Sequence, residues 1–564
     1  MISVSGRKWQ EKKINEKLAE KIEQDYDFSK ILSKLIVSRN FDKDEIFVVG
    51  NDLKLTNKFK NTSDFIEAVN LIEKAIINKE KICILGDYDI DGSVSTSMLV
   101  NLFKSINHPY FYYIPDRVKD GYGASKKLFQ KLILKKPRLV IMVDCGSTSI
   151  SAIDYLNKNN IKSLVIDHHE ISKPYPQANV IINPKKNNGY LEYEYFCAST
   201  LTFFFLDLLS KKIKSKNNLQ ENLINVLLAT VCDVMPLRKL NRLISKIALK
   251  EFNINNNYVY KKIYELSDRK NKISINDLGY LIGPILNAGG RLGKSNYATE
   301  LLSTNDSKII DSIASKLIIL NNKRKLIEAK ILNNIDFNEL NKINDPIIIY
   351  YDPNINEGLI GIIASRLKDY FNKPAFIITN SNNLLKGSAR STNNYDIGIV
   401  IKTLLDKKII LSGGGHNMAA GFTLERKNLP NFRDFIKDDY SKKNIQNDDN
   451  FYYDAEISPT IFKNNFFDEI KKIEPFGTGN PLPTFLFKEL KVIKSKILNK
   501  KNIFCILKSK IGFSINSIYF NSTNTNIGEH LLNYKKKLNV VGQISENFWN
   551  NKKNLQLIIK DLIL

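Results

Sequence analysis

The sequence predicts a multidomain α/β protein that ends in a small β-barrel, and three observations carry that expectation. Between residues 80 and 185, short apolar runs rich in β-branched residues alternate with helical stretches, the pattern of β-α-β units around a parallel sheet. A second α/β pattern begins at "DPIIIYYD" and runs to about 440, after a stretch from 306 to 335 with helical periodicity and neither Gly nor Pro. From about 450 the chain turns to short strands and hairpin signals, among them "NFWNNKKNLQLII", which suits a barrel.

At 564 residues the chain exceeds one ordinary core. The expected division is a helical lead-in over 1–70, an α/β domain over 71–305, a connecting helix over 306–338, a second α/β domain over 339–445 and the barrel over 446–564. With 43 % hydrophobic and 25 % charged residues the composition is globular, neither disordered nor fibrous. The first twenty residues lack an apolar signal region, and no run approaches the roughly 18 apolar residues of a membrane span. A cytoplasmic location is expected. Five scattered cysteines (Cys83, Cys145, Cys197, Cys232, Cys505) with no C-x-x-C pair fit reduced, packed thiols.

The formal charge of +25 suggests a polyanionic partner. Lys, Asn and Ile are abundant throughout, however, so placement says more than the total. Residues 491–564 hold 13 Lys/Arg against 3 Asp/Glu, together with Phe504, Phe513, Tyr519, Phe520, Phe548 and Trp549. That local excess points to a nucleic-acid partner more directly than the total charge does.

In chain order, the first chemical feature is "ILGDYDIDGS" (84–93), with Asp87, Asp89 and Asp91 at alternate positions. The spacing matches the start of an EF-hand loop, but the twelfth position is Met98, which offers no oxygen, and "KICILG" before it reads as a strand. Three carboxylates this close repel one another unless a cation neutralises them. Two further apolar strands end in "VDCGS" (Asp144) and "DHHE" (Asp167, His168, His169), and "LLATVCDVMPL" adds Asp233. Ligands gather at the carboxyl ends of strands in open α/β sheets, so these tips should converge. One such aspartate alone is usually a cap or turn residue. Carboxylates with imidazole suit Mn²⁺ or Mg²⁺, and two such ions support hydrolysis of a phosphoester.

The second α/β domain contributes "GLIGIIASRL", "LKGSARS" and "LSGGGHNMAAGF". Glycines let backbone N–H groups approach an anion, and Ser388, Arg390 and His416 stand beside Gly414 and Gly415 as donors, which reads as a phosphate cradle. Arg117 in "IPDRVKDGYGAS" and Arg291 in "IGPILNAGGRLG" also neighbour glycines, although each could equally be a surface ion-pair residue.

"GDYDIDG", "VDCGS", "DHH" and "CDVMPL" resemble the four metal-site motifs of the DHH phosphoesterase superfamily. The resemblance implies two divalent cations, Mn²⁺ or Mg²⁺, held by Asp87, Asp89, Asp91, Asp144, His168 and Asp233. It makes Asp144 the bridging ligand, sets His169 against the scissile phosphate, and leaves Asp167 to orient a histidine. Cys232 stands where a small residue is expected. The glycine-rich half resembles the DHHA1 domain, and "KIEPFGTGNPLPTF" with the Arg117 and Arg291 segments resembles one branch, the RecJ exonucleases. That branch implies DHH and DHHA1 domains flanking a cleft, a long helix joining them, and a C-terminal OB-fold. It further implies a 5′-to-3′ exonuclease on single-stranded DNA that releases 5′-mononucleotides in recombination and repair. Arg117, Ser388 and Arg390 would take the 5′ phosphate, and Arg291, Gly414, Gly415 and His416 the strand backbone. A single-strand-binding protein is the partner implied, and a monomer is expected. Two rivals are an oligoribonuclease or cyclic-dinucleotide phosphodiesterase, which needs no terminal OB domain, and an inactive DNA-binding scaffold, which would have lost its ligands.

Overall fold

A computed structural model describes residues 2–51, 54–116, 120, 123–186, 190–216, 218–343, 345–381, 383–392, 395–443, 450–522, 525–533, 537–549 and 552–564. The chain forms two compact units: Thr56–Met235 with Ile247–Asn447, and Met1–Leu55 with Pro236–Lys246 and Asp448–Leu564. Among the described residues no helix is long and apolar enough to cross a membrane.

The first unit opens with the predicted parallel sheet. Its five strands lie in the order Tyr110–Tyr113, Ile82–Leu85, Leu139–Val143, Lys162–Ile166 and Val180–Ile182. Every pairing is parallel. The runs "ICIL" and "LVIMV" are wholly buried because helices cover both faces, and such strands read as continuous rather than alternating apolar sequence. Each buried Leu, Ile or Val contributes about 1.5–3 kcal/mol, which makes this sheet a rigid base for what its tips carry. Chain order reverses between Ile82–Leu85 and Leu139–Val143, the switch point where α/β sheets form their crevice.

A 28-residue helix, Ser307–Asn334, capped by Asp306, leads to the second half of this unit. Midway along it Arg324 donates to Glu328 at 2.9 Å, and Glu328 also accepts from Arg366 of the helix Ile360–Phe371 at 2.7 Å. The second sheet runs Ser412–His416, Ala419–Leu424, Leu384–Arg390, Ala375–Ser381 and Ile348–Tyr351, antiparallel except for its last pair.

In the other unit five strands close into a barrel: Thr484–Leu498, Asn502–Lys508, Ser514–Tyr519, Lys552–Ile563 and Lys537–Trp549, the last returning to pair with the first. Closure removes the exposed edges that an open sheet would present. Residues 1–55 belong to this unit. Strand Lys8–Glu11 pairs in parallel with Asn450–Tyr453, and Ala19, Ile22, Leu32, Leu35 and Ile36 share a core with Phe485, Phe487 and Leu557. All five cysteines are unpaired thiols, and four are buried.

Candidate metal centre

The motif of three aspartates is built by a strand that ends and a helix that starts within it. Asp87 follows strand Ile82–Leu85, and Asp89 is the N-cap of the helix Ile90–Ser105, its side chain accepting from Gly92 N–H at 3.1 Å. Gly92 closes the motif for a steric reason: a Cβ there would lie 2.5 Å from the backbone N and O of Asp87. Only glycine lets the first helical turn press against the carbonyl that precedes it. Asp91 is 2 % exposed and accepts from Ala198 N–H (2.7 Å) and Ser199 N–H (2.8 Å), at the start of the helix Ala198–Lys212. Asp91 therefore anchors a second helix through both oxygens while facing the cluster.

Asp144, next after strand Leu139–Val143, has φ of 59°, a left-handed backbone that a non-glycine residue adopts at a cost. Its N–H is held by Ile166 O at 3.0 Å, which sets it beside the end of the neighbouring strand Lys162–Ile166. There Asp167 organises the histidine pair. Its Oδ1 accepts from His168 N–H (2.8 Å) and His169 N–H (3.2 Å) and lies 2.7 Å from His169 Nδ1. Its Oδ2 accepts from Ser147 N–H at 3.0 Å. Asp233 ends the helix Leu223–Cys232, not a strand, and is held by Ala229 O.

These pieces meet. His168 Nε2 lies 3.4 Å from Asp233 Oδ2, 3.5 Å from Asp144 Oδ1 and 3.8 Å from Asp91 Oδ2. Three overlapping groups bring ligand atoms within 4.8 Å of one another: Asp87 with Asp89 and Asp144, Asp91 with His168 and Asp233, and Asp144 with His168 and His169. All six expected ligands are thus brought together, with Asp144 shared between two groups.

Electrostatics matches the geometry. Burial, then Asp89, Asp91 and Asp87, push the Asp144 carboxyl well above its usual range. Burial, then Asp91 and Asp89, do the same to Asp233. Burial and the neighbouring His169 lower His168 to about 4, which keeps it a neutral imidazole able to ligate. Burial opposes charge on His169 too, but the Asp167 carboxylate outweighs it and lifts His169 to about 9. Asp167 falls below the usual carboxylate range because the charge of His169 and the hydrogen bond to it overcome its burial.

A divalent cation fits this donor set on two observations. His168 Nδ1 and Asp233 Oδ2 are buried without a hydrogen-bond partner, an expensive state that an ion would relieve at the oxygen. Separations of 3.4 and 3.5 Å around His168 Nε2 are too long for hydrogen bonds, yet near the roughly 3 Å between adjacent ligands of an octahedral ion with bonds of about 2.1 Å.

The residues expected to bind anions lie in different settings. Ser388 is 6 % exposed on strand Leu384–Arg390, 3.4 Å from Arg390 Nη1, and a Cβ on Gly361 would lie 3.2 Å from Ser388 Oγ and 3.3 Å from Arg390 Nη2. Both side chains therefore close on the first turn of the helix Ile360–Phe371. Arg117 lies outside the described residues. Arg291, expected on the strand backbone, ends the helix Gly283–Arg291 and donates to Gly358 O at 3.2 Å, a strut between the two halves of the unit. Gly414 and Gly415 belong to an edge strand paired with Ala419–Leu424, which positions them because the flanking sequence pairs as a hairpin; a Cβ on Gly415 would meet Ala419 O at 2.3 Å. His416, at the end of that strand, stacks on His169 with ring centroids 5.9 Å apart and planes 19° apart.

Sequence reading missed Asn183. It is fully buried, and its amide donates to Ser147 Oγ (2.8 Å) and His169 O (2.9 Å), so it fixes the histidine segment from behind. Its one signal was its position just after strand Val180–Ile182, at the same sheet edge as the other tips.

Of the barrel aromatics, Phe504 carries Lys496 5.6 Å from its ring centroid, Phe513 and Tyr519 pack partly against the core, and Phe520 is 49 % exposed. The side chains of Phe548 and Trp549 lie outside the described residues.

Three family models match consecutive stretches: "DHH family, N-terminal domain" over 81–231, "DHHA1 domain" over 344–442 and "RecJ OB domain" over 453–561. The chain is similar to the single-stranded-DNA-specific exonuclease RecJ of Bacillus subtilis, with 26 % identity over 99 % of this chain and 71 % of that one. It is also similar to the protein of that name from Haemophilus influenzae, with 29 % identity over 87 % of this chain and 89 % of the other. The crystal structure of RecJ in complex with Mn²⁺ from Thermus thermophilus superposes with a TM-score of 0.81 at 23 % identity, covering 99 % of this chain and 79 % of that one, which fixes the fold.

Proposed function

The chain belongs to the DHH–DHHA1 phosphoesterases, in the branch whose last domain is a RecJ OB domain, and on that premise we propose a single-stranded-DNA-specific 5′-to-3′ exonuclease that releases 5′-mononucleotides. The observation that carries the reading is the convergence of Asp87, Asp89, Asp91, Asp144, His168 and Asp233 at the switch point of the parallel sheet, in a chain that also closes an OB barrel.

These six residues would hold two divalent cations, Mn²⁺ or Mg²⁺, with Asp144 common to both. When bound, such a pair acidifies a water to near neutrality and neutralises charge on the phosphate. The chain's own groups do the rest. Asp167 fixes His169 through Nδ1, so the opposite nitrogen, Nε2, is the one that donates to a phosphate oxygen. Ser388, Arg390 and the first turn of the helix Ile360–Phe371 take the 5′ phosphate, a role that the family resemblance extends to Arg117. A terminal phosphate seated there sets the polarity, because a strand entering by its 3′ end offers none. Gly414, Gly415 and His416 would contact the strand backbone, and Arg291, through its bond to Gly358 O, would steady the segment before the helix Ile360–Phe371. The barrel, with 10 more basic than acidic residues from 491 onward, suits binding of a single strand.

On this reading the protein works as a monomer in the cytoplasm, in recombination and repair, on strands presented by a single-strand-binding protein. The test is one oligonucleotide labelled at either end, incubated with Mn²⁺ or Mg²⁺. Prompt mononucleotide release from the 5′-labelled strand, with gradual shortening of the 3′-labelled one, supports the proposal. Cutting confined to fragments of a few nucleotides, or binding without cutting, overturns it.

A further inference from the structure

The loop after strand Val180–Ile182 brings a cation to the histidine pair that neither the motifs nor the mechanism above uses. Lys185 is unusual for a lysine in that its side chain is only 17 % exposed. Its N–H donates to Asn183 Oδ1 at 2.9 Å, and Asn183 is itself bonded to the carbonyl of His169. The backbone carrying Lys185 is therefore pinned to the residue that faces the phosphate. Its ammonium meets Glu170 Oε1 at 2.8 Å. The same oxygen lies 3.8 Å from His416 Nδ1, and the His416 ring stacks on His169.

One carboxylate oxygen thus sits between an ammonium and an imidazole that itself stacks on His169. Glu170 is 65 % exposed and is held by groups that would serve a phosphate equally well. An exposed ion pair of this kind is weak, so a phosphate that arrives with its own charge can replace the carboxylate. Lys185 is also among the charges that depress His168 and His416, which agrees with its closeness to the centre.

We propose that Lys185 is a substrate-facing cation: it donates to a non-bridging oxygen of the scissile phosphodiester, and Glu170 holds it in place until the phosphate displaces the carboxylate. The inference rests on the exonuclease reading. In that reaction a water oxygen bonds to phosphorus, the bond from phosphorus to the 3′ oxygen breaks, and the 3′ oxygen leaves with a proton. The phosphate passes from a diester with one negative charge to a terminal monoester with nearly two at pH 7. A fixed ammonium gains attraction as that charge develops, so its effect falls on kcat more than on KM.

The experiment measures kcat and KM on a 5′-phosphorylated oligonucleotide at saturating Mn²⁺ for the wild type, K185A, K185R and E170Q, with Mn²⁺ affinity measured separately for each. For K185A, kcat is expected to fall on the order of 100-fold with KM changed far less and Mn²⁺ affinity unchanged. K185R should recover a large part of the loss, and E170Q should lower KM about threefold by removing the competing carboxylate. A kcat for K185A within threefold of wild type overturns the inference, whatever happens to KM. So does a loss of Mn²⁺ affinity in parallel with the loss of rate, because Lys185 would then act on the metal site. A wild-type enzyme that binds Mn²⁺ and leaves every strand uncut overturns the functional reading, and this inference falls with it.

Discussion

Replacing Asp144 with Asn should make the metal-free protein more stable while removing its response to metal. Asp87, Asp89 and Asp144 place carboxylate oxygens within 4.8 Å of one another. Two unit charges at that separation repel by about 3.5 kcal/mol at an effective dielectric constant of 20. Protonation limits the cost. The Asp144 carboxyl is held well above its ordinary range, so the fold keeps its proton through mild acid and meets the full repulsion only as pH rises. A raised folded value means that relative stability is greatest below the unfolded value near 3.9 and is lost as pH climbs through the folded one. The stabilising effect of D144N should therefore be near zero below about pH 3.9, grow as pH rises above it, and stand at about 2 kcal/mol at pH 8, below the unscreened figure because water and salt share the field. Mn²⁺ acts in the opposite sense. At 100 times its Kd it should stabilise the wild type by about 2.7 kcal/mol and the variant by little. Both tryptophans lie in the barrel unit, so far-UV circular dichroism in urea, with EDTA or with Mn²⁺, is the assay that follows the catalytic unit. A D144N protein less stable than wild type in EDTA at pH 8, or one that keeps the full gain from Mn²⁺, refutes the reasoning.

Gly92→Ala places a methyl 2.5 Å from the backbone of Asp87; it should cost about 1–3 kcal/mol and abolish Mn²⁺ binding, as isothermal titration would record. In the barrel unit, Glu45 is 2 % exposed and accepts from Arg238 at 2.7 and 2.6 Å and from Lys239 N–H at 2.8 Å. Glu45→Ala should cost about 3 kcal/mol by urea unfolding followed through tryptophan emission. Burial works against the Glu45 carboxylate but the hydrogen bond from Arg238 prevails and lowers it, so the difference should be whole at pH 7 and shrink as pH falls below about 4. Asp561 is fully buried and accepts from Ser3 Oγ (2.7 Å), Trp9 Nε1 (2.8 Å) and Leu562 N–H (2.9 Å). Asp561→Asn gives up an acceptor oxygen for a donor, so a loss of about 1–3 kcal/mol and a red shift of Trp9 emission are expected; unchanged emission would show that the N-terminal segment is held by other contacts.

The metal centre was legible because its parts carry local signals. A buried parallel strand is a short unbroken apolar run, and three such runs ended in acidic or histidine tips. Strand-end geometry then brings the tips together without any knowledge of long-range contacts. The glycine of the first motif was legible as a letter but not as a reason, since the contact it permits depends on how tightly the helix turns back on Asp87. The double duty of Asp91 was illegible: its partners, Ala198 and Ser199, lie more than a hundred positions away, and nothing in "CAST" announces a helix start that needs a carboxylate from elsewhere.

Lys185 and residues 1–55 were hidden for two different physical reasons. Lys185 was masked by composition. In a chain with 84 Lys and Arg, one more lysine after a strand raises no question until its ammonium is seen beside Glu170 and its backbone tied to His169. The N-terminal segment was masked by distance. Its helices look self-sufficient, with apolar faces at the right spacing, yet those faces fill the barrel's core, and strand Lys8–Glu11 pairs with Asn450–Tyr453. An amphipathic helix states that it needs a partner and not which one. The consequence is chemical as well as architectural. Asp561, deep in the last strand, accepts from Ser3 and Trp9, so the stability of the barrel depends on the first residues of the chain. Shortening the N-terminus should therefore weaken strand binding without touching a single residue of the metal centre.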